Sequence, residues 1–512
     1  MPKLDWIGKE QVANHDKDVP FRLLKKVKSF SVGENSQNLI IHGDNLEALK
    51  SIMPYYYGKI KCIYIDPPYN TGNESWVYND KVNSPKIKKW LGKVVGGESE
   101  DLCRHDKWLC MMYPRLKLLK ELLSEEGIIF ISIDDNEQSN LKSILDEIFG
   151  EDKFFARLTW INRTKPKNMG EARFNIQQNT EDVLVYGKVP MTQYPRFILR
   201  ELEKKEYPLI NNGRKYRLEP IAERRNLGTL KRDKMVYSLL GIKNKEGYRW
   251  QLSQDKYNQL IKENKIILKN NKPLQIYYED EEENFSYSPF WSHLGNKGTA
   301  EDGKKELNEL FGHTHGFETV KSVNLIKEIL FHCTSNEDII LDSFAGSGTT
   351  GHAVLDLNKE DDGNRKFILI EMEDKVAKAI TAERVKRAIK KYDYEEGFEY
   401  CELDKPLFNE EGQIENDCSF EQLATYVYFT ETRTNIDKKQ IEESFIGSNN
   451  EKDYYLIFKE KGKNVLNKTF LNKISKTTNK KIIYADKCLL DEDILKKHNV
   501  EFKQIPYEVR IY

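Results

Sequence analysis

Cysteine is scarce and scattered in this chain: the seven, at positions 62, 103, 110, 333, 401, 418 and 488, form no Cys-x-x-Cys pair and keep no zinc-like spacing to histidine. That argues against a disulfide framework and against a structural metal. Long apolar runs are missing too. The longest, such as Ile128 to Ile133 and Ile339 to Leu341, are strand-sized, and Met1 to Asp5 shows no signal-peptide core. A soluble, cytoplasmic protein with no membrane partner is expected. No Gly-Lys-Ser/Thr triplet is available to hold a triphosphate, and no third glycine stands at the dinucleotide spacing. Charge of either sign is barely in excess, with a net of −1, which by itself would discourage a nucleic-acid partner.

What is present is enough for several domains. A length of 512 residues with 39% hydrophobic content exceeds one ordinary domain and can fill a core. Leu39 to Ile41, Ile60 to Ile65 and Ile128 to Ile133 read as buried strands, and Trp108 to Leu123 carries a helical apolar stripe. A second helix is expected from Glu137 to Phe149, stopped at Gly150, and a further strand near Asp182 to Tyr186. The alternation predicts an α/β fold built on one doubly wound, Rossmann-like sheet.

At the end of the Ile60 to Ile65 run stands Asp66-Pro67-Pro68-Tyr69. Asp66 can accept a hydrogen bond from an exocyclic amine. The two prolines stiffen the turn and leave backbone carbonyls without a local N–H partner, and Tyr69 offers a flat face for stacking, which together suit chemistry on a flipped-out base. A second motif, Leu341-Asp342-Ser343-Phe344-Ala345-Gly346-Ser347-Gly348-Thr349-Thr350, reads as strand, glycine turn and helix. Glu371 ends the next strand, Lys366 to Ile370, at the usual distance for gripping ribose hydroxyls. With no phosphate cradle, the adenosine ligand that fits is S-adenosyl-L-methionine, its ammonium on Asp342 and its ribose on Glu371. His313 and His315, in Gly312-His313-Thr314-His315-Gly316, read as a loop and not as metal ligands.

Asp66 to Tyr69 together with Phe344-Ala345-Gly346-Ser347-Gly348 resembles the amino-group DNA methyltransferases. The surrounding sequence resembles the modification (Mod) subunit of Type III restriction-modification systems. The likeness runs through Ile41 to Leu49, the extension Asn70-Thr71-Gly72, Trp108 to Leu123, Ile128 to Asp135, Thr180 to Tyr186 and Phe317 to Ile326. Because the catalytic motif precedes the cofactor motif, the resemblance is to the beta group. It implies adenine-N6 methylation of double-stranded DNA, with Asp44 contacting the cofactor's adenine and Lys321 and Ser322 its neighbourhood. The family pattern has proline after the lysine, where this chain has Ser322. Aspartate at position 66 favours adenine over cytosine-N4, since the cytosine enzymes more often carry serine there. The resemblance also implies a homodimer and a separate restriction (helicase-nuclease) subunit, because nothing in this chain resembles either activity.

Between Tyr69 and Phe344 lies the segment expected to recognise the target. From Arg200 to Lys272 there are 19 Lys and Arg against 9 Asp and Glu, with Tyr207, Tyr216, Tyr237, Tyr248, Trp250 and Tyr257 interleaved; an acidic run, Glu279 to Glu283, follows. Arg163 to Lys167 would add phosphate contacts. The expected organisation is residues 1–187 as the catalytic half, 188–310 as an inserted target-recognition domain, 311–395 as the cofactor half, and 396–512 as a small α+β C-terminal domain for dimerisation or partner docking. Three other readings stand beside this one: an orphan DNA methyltransferase, a cytosine-N4 enzyme, and a non-catalytic DNA-binding assembly subunit. An RNA or protein-amide methyltransferase would have the cofactor motif first and asparagine before the prolines.

Overall fold

In the computed structural model the described residues are 3–505, apart from 35, 72–91, 93–102, 167–169, 171–172, 175, 227–231, 283–284, 318, 409–413, 416–417, 438–440, 460–462 and 475–476. Gly72, Lys167, Glu283 and Glu318, all in stretches singled out above, therefore lie outside them. The last described strand is Val500–Gln504.

Ten strands form one mixed sheet in the order Arg22–Lys26, Glu399–Pro406, Leu39–His42, Lys366–Glu371, Ile339–Asp342, Ile60–Ile65, Leu123–Ile133, Thr180–Gly187, Phe154–Ile161 and His293–Leu294. The six strands from Glu399–Pro406 to Leu123–Ile133 are mutually parallel. Parallel strands buried on both faces need apolar residues at successive positions, which is why Cys62 to Ile65 carry no charged residue. Ile63, Ile65, Ile129, Leu341 and Ile370 share one cluster with Leu46, Leu49, Leu116 and Leu119 of the helices Asn45–Tyr56 and Arg104–Leu122. On the other face, the Cys62 and Cys333 sulfurs lie 3.7 Å apart, which seats helix Val323–Cys333 there. Gly351 of helix Thr349–Asp361 leaves no room for a Cβ against Leu369. Each fully buried Ile or Leu contributes roughly 1.5–3 kcal/mol, so this double cover holds the sheet.

Strand order locates the crevice. From Ile60–Ile65 the chain crosses to Leu123–Ile133 on one side, whereas from Ile339–Asp342 it crosses to Lys366–Glu371 on the other. These two neighbours mark the point where connections turn away in opposite directions, and ligands in open α/β sheets bind outside the carboxyl ends of such strands. Asp66 and Asp342 stand at those two ends.

The helix expected from Trp108 begins earlier, at Arg104, because Cys103 and Asp106 form a reciprocal capping box. The helical run from Asp374 to Tyr392 contains a π-helical stretch, Ala377–Ala382. No described helix is long and apolar enough to cross a membrane.

Residues 199–290 form a compact unit of their own. It holds a four-stranded antiparallel sheet, a helix Gln254–Lys262 capped by Ser253, and a core of Leu239, Trp250, Tyr257, Leu260 and Ile266. The unit is shorter than the expected 188–310, since His293–Leu294 pairs with Phe154–Ile161 in the large sheet. Glu399–Pro406, likewise, is a strand of the large sheet. Beyond it, strands Phe445–Asn449, Lys452–Leu456, Lys480–Ala485 and Val500–Gln504 form a separate sheet whose last three members are parallel.

The insert's charge is moderated internally. The acidic run continues from the strand Lys272–Tyr278, so that Asp280 and Glu281 pair with Arg214, Glu282 with Arg217 and Lys205, and Glu281 also with Lys265. Counted over 199–290, 19 basic and 14 acidic residues leave an excess of 5. Trp250 and Tyr257, expected among the interleaved aromatics, are core residues.

Candidate active site

A cleft open at its mouth lies at the switch point. Of the residues singled out by sequence, Asp66, Pro68, Lys321, Asp342, Phe344, Ala345, Gly346, Ser347, Thr349 and Glu371 line it. Tyr64, Arg115, Thr319 and Met372 join them.

The Asp66 turn is held from several sides. Trp108, fully buried, donates its indole N–H to the Pro68 carbonyl at 2.7 Å. Asn70, at φ +56°, donates to the Arg104 carbonyl and to the buried Glu137, while Arg104 donates back to the Asn70 carbonyl. One of the two proline carbonyls is thus taken by Trp108. Replacing Trp108 by phenylalanine strands that carbonyl in the core, so urea denaturation should show a loss of about 1–3 kcal/mol.

Four polar groups meet at the turn. The Lys321 ammonium donates to both Asp66 oxygens at 2.8 Å, to the Tyr69 hydroxyl at 2.9 Å, and pairs with Glu181 at 3.2 Å. The Tyr69 hydroxyl in turn donates to Asp66 at 2.7 Å and lies 3.0 Å from the Glu181 carboxylate. Asn162 donates to the other Glu181 oxygen at 2.7 Å. Burial and the neighbouring Glu181 raise the Asp66 pKa against the pull of Lys321. Burial also pushes Glu181 up, but Lys321, Asn162 and Tyr69 outweigh it and hold Glu181 below the usual carboxylate range. Burial opposes the Lys321 charge, yet Asp66 and Glu181 prevail and raise its pKa. The Tyr69 ring, expected to offer a stacking face, is 8% exposed in this state, with Lys321 5.2 Å from its centroid.

The glycine loop is equally well braced. Gly346 and Gly348 have φ of +51° and +77°, the left-handed region that glycine enters without strain. The Gly346 N–H donates to Glu371 at 3.0 Å, and the Gly346 carbonyl accepts from Thr381 of the π-helical stretch at 2.6 Å. Buried Arg384 donates to Ser347 and Thr349 at 3.0 and 2.7 Å. Asp342 accepts from the Phe344 N–H and the Thr350 hydroxyl. Burial, with the charges of Asp66 and Glu371, pushes its carboxyl up to about 7.

Five expected residues, Pro67, Tyr69, Asp44, Ser322 and Gly348, are not on the cleft wall. Asp44 caps helix Asn45–Tyr56, reaches Arg115 at 3.4 Å and lines a separate depression with His42, Asp374 and Glu402. Ser322 caps helix Val323–Cys333. Gly348 is the left-handed N-cap of helix Thr349–Asp361. His42, Asp374 and Glu402 could gather round a cation, but Lys378 already pairs with both carboxylates at 2.8 and 2.9 Å. Glu181, Trp108 and Arg384 were not anticipated. Glu181 and Trp108 stand in stretches that carry the family likeness, Thr180 to Tyr186 and Trp108 to Leu123, without a role of their own there, and Arg384 looks like an ordinary helix residue.

A carboxylate that can receive an amine thus shares one cleft with a glycine loop bracketed by two further carboxylates. The chain belongs to the DNA methylase family, whose sequence pattern matches residues 60–383. It is 32% identical over 388 residues to the Type III restriction-modification enzyme StyLTI Mod subunit of Salmonella typhimurium, covering 72% of this chain and 58% of that one. It is 31% identical over 465 residues to the EcoP15I Mod subunit of Escherichia coli, covering 78% and 71%. With the Type II methyltransferase M.KpnI of Klebsiella pneumoniae it shares 30% identity over 379 residues, covering 69% and 85%.

Proposed function

We propose that this protein transfers a methyl group from S-adenosyl-L-methionine to adenine N6 in double-stranded DNA, as the modification subunit of a Type III restriction-modification system. The observation that carries the reading is the joint lining of one cleft by Asp66 and by the Asp342 to Thr349 loop with Glu371. The residues present fit the donor. Asp342 and Glu371 supply negative charge for an ammonium and acceptors for ribose hydroxyls, and Phe344 and Met372 supply apolar surface. When bound, the donor supplies a methyl group on a sulfonium that is already a good leaving group.

The chain's own work is to position the amine. An N6 lone pair is delocalised into the base; hydrogen bonds from its N–H groups to Asp66 and to the Pro67 carbonyl favour a tetrahedral nitrogen with the pair freed. Flipping costs a few kcal/mol, of which stacking on an aromatic returns on the order of 1–3 kcal/mol. Residues 199–290 are assigned target reading. The C-terminal sheet is assigned pairing with a second copy, or docking of a restriction subunit.

The test is methyl-labelled transfer to unmethylated duplex DNA, with the product nucleoside identified. N6-methyladenine supports the reading, N4-methylcytosine changes the acceptor, and no transfer to DNA overturns it. Donor binding should also depend on pH. An ammonium prefers the charged form of Asp342, so affinity should rise roughly tenfold from about pH 5.5 to about pH 7. In Asp342→Asn that slope should vanish, as calorimetry would show.

A further inference from the structure

We propose that Glu181 is a positioning residue for the transfer: it is the second carboxylate onto which the Lys321 ammonium shifts when the target amine takes its place at Asp66. The inference rests on the reading that Asp66 receives the amine.

In the structure Asp66 is already occupied. Lys321 bonds to both of its oxygens and Tyr69 adds a third bond to one of them. An ammonium presents the same kind of N–H donor as an exocyclic amine, and it carries a full charge besides. A neutral amine cannot evict it unless the cation has somewhere to go, because an unpaired buried charge is strongly disfavoured. Glu181 provides that place. Its carboxylate stands 3.2 Å from the ammonium and is only 14% exposed. It is fixed by Asn162 and Tyr69, and its strand is in register with Trp160. The carboxylate is therefore the fixed partner, and the lysine, on its four-carbon stem, is the one that moves.

Charge count gives the arrangement a second use. Two carboxylates and one ammonium leave one net negative charge beside the acceptor. During transfer the amine lone pair forms the N–CH3 bond as the S–CH3 pair returns to sulfur, so the nitrogen becomes positive next to that charge. Its surplus proton then passes to Asp66 and leaves with solvent after product release. The titratable groups facing Asp66 are Lys321, Glu181, Tyr69, Tyr64 and Asp342. Two of them act oppositely: the Lys321 cation lowers the Asp66 pKa and the Glu181 anion raises it.

The experiment is single-turnover methyl transfer from labelled donor to unmethylated duplex DNA, across pH, for the unaltered full chain, Glu181→Gln, Lys321→Met and the double variant. Glu181→Gln should slow transfer on the order of 10- to 100-fold, because the ammonium stays locked on Asp66. Adding Lys321→Met should restore at least about fivefold of that loss, a coupling that two independent structural lesions would not produce. The acid limb should move to lower pH in Glu181→Gln and to higher pH in Lys321→Met. A double variant no faster than Glu181→Gln, or limbs moving the same way, overturns the inference while the functional reading stands. Donor affinity within about threefold of the unaltered protein certifies folding. Should Glu181→Gln fail that check, the Lys321→Met limb alone decides, an unmoved limb overturning the inference. If the unaltered protein binds donor but methylates no DNA, the functional reading falls and takes the inference with it.

Discussion

Asp66→Ala is expected to lower methyl transfer by about a hundredfold to a thousandfold while leaving donor affinity within about threefold. The magnitude follows from the loss of a charged acceptor aimed at the developing positive nitrogen, since single preorganised groups of this kind are each worth roughly 10²–10³ in rate. Selectivity for the rate arises because Asp66 meets the glycine loop only across the cleft, whereas Asp342, Glu371 and the loop itself are braced by Thr350, Gly346, Thr381 and Arg384. Lys321 would keep Glu181 and Tyr69 as partners, so the ammonium is not abandoned in the core. Single-turnover transfer beside calorimetric donor binding measures both halves, and a variant retaining more than about a tenth of the activity would remove Asp66 from its assigned role.

Gly346→Trp should have the opposite selectivity. It is expected to weaken donor binding at least about a hundredfold, or roughly 2.7 kcal/mol. Two effects combine. At φ +51° a residue with a Cβ pays about 1–2 kcal/mol of backbone strain, and an indole projecting from the loop fills space that a ligand would need in the cleft Gly346 lines. Circular dichroism should show an intact fold, because the sheet core lies behind the loop. Unchanged donor affinity would argue that the cleft is not the donor site.

Both of these positions were legible in the sequence because their chemistry is local. Asp-Pro-Pro-Tyr after an apolar run and a glycine turn before a helix each carry their meaning within ten residues. Glu181 was hidden for the converse reason. Its approach to Asp66 depends on an antiparallel strand, Thr180–Gly187, pairing with Leu123–Ile133, and no local pattern encodes that register. Trp108 sits among Leu109, Met111 and Met112 on a helix that buries many apolar side chains, so its N–H to Pro68 has no signature. The π-helical stretch at Ala377–Ala382 has the composition of an ordinary α-helix, and only its contact with Gly346 distinguishes it. The basic excess of the insert is visible in the sequence as a count, but its neutralisation by the acidic run is not. Antiparallel pairing of Lys272–Tyr278 with Arg214–Pro220 brings the two together.

The interleaving of the large sheet also constrains how the chain comes to be made. Ile60–Ile65 has Leu123–Ile133 on one side, but its other neighbour, Ile339–Asp342, leaves the ribosome more than two hundred residues later. Until then an apolar strand has one open edge, the kind of surface that pairs with other chains. Leu39–His42 is worse placed, since both of its neighbours, Lys366–Glu371 and Glu399–Pro406, come from the far end. The nascent protein must therefore carry an unfinished sheet through synthesis of the whole inserted unit, and a chain interrupted before residue 339 lacks the strand that would close it.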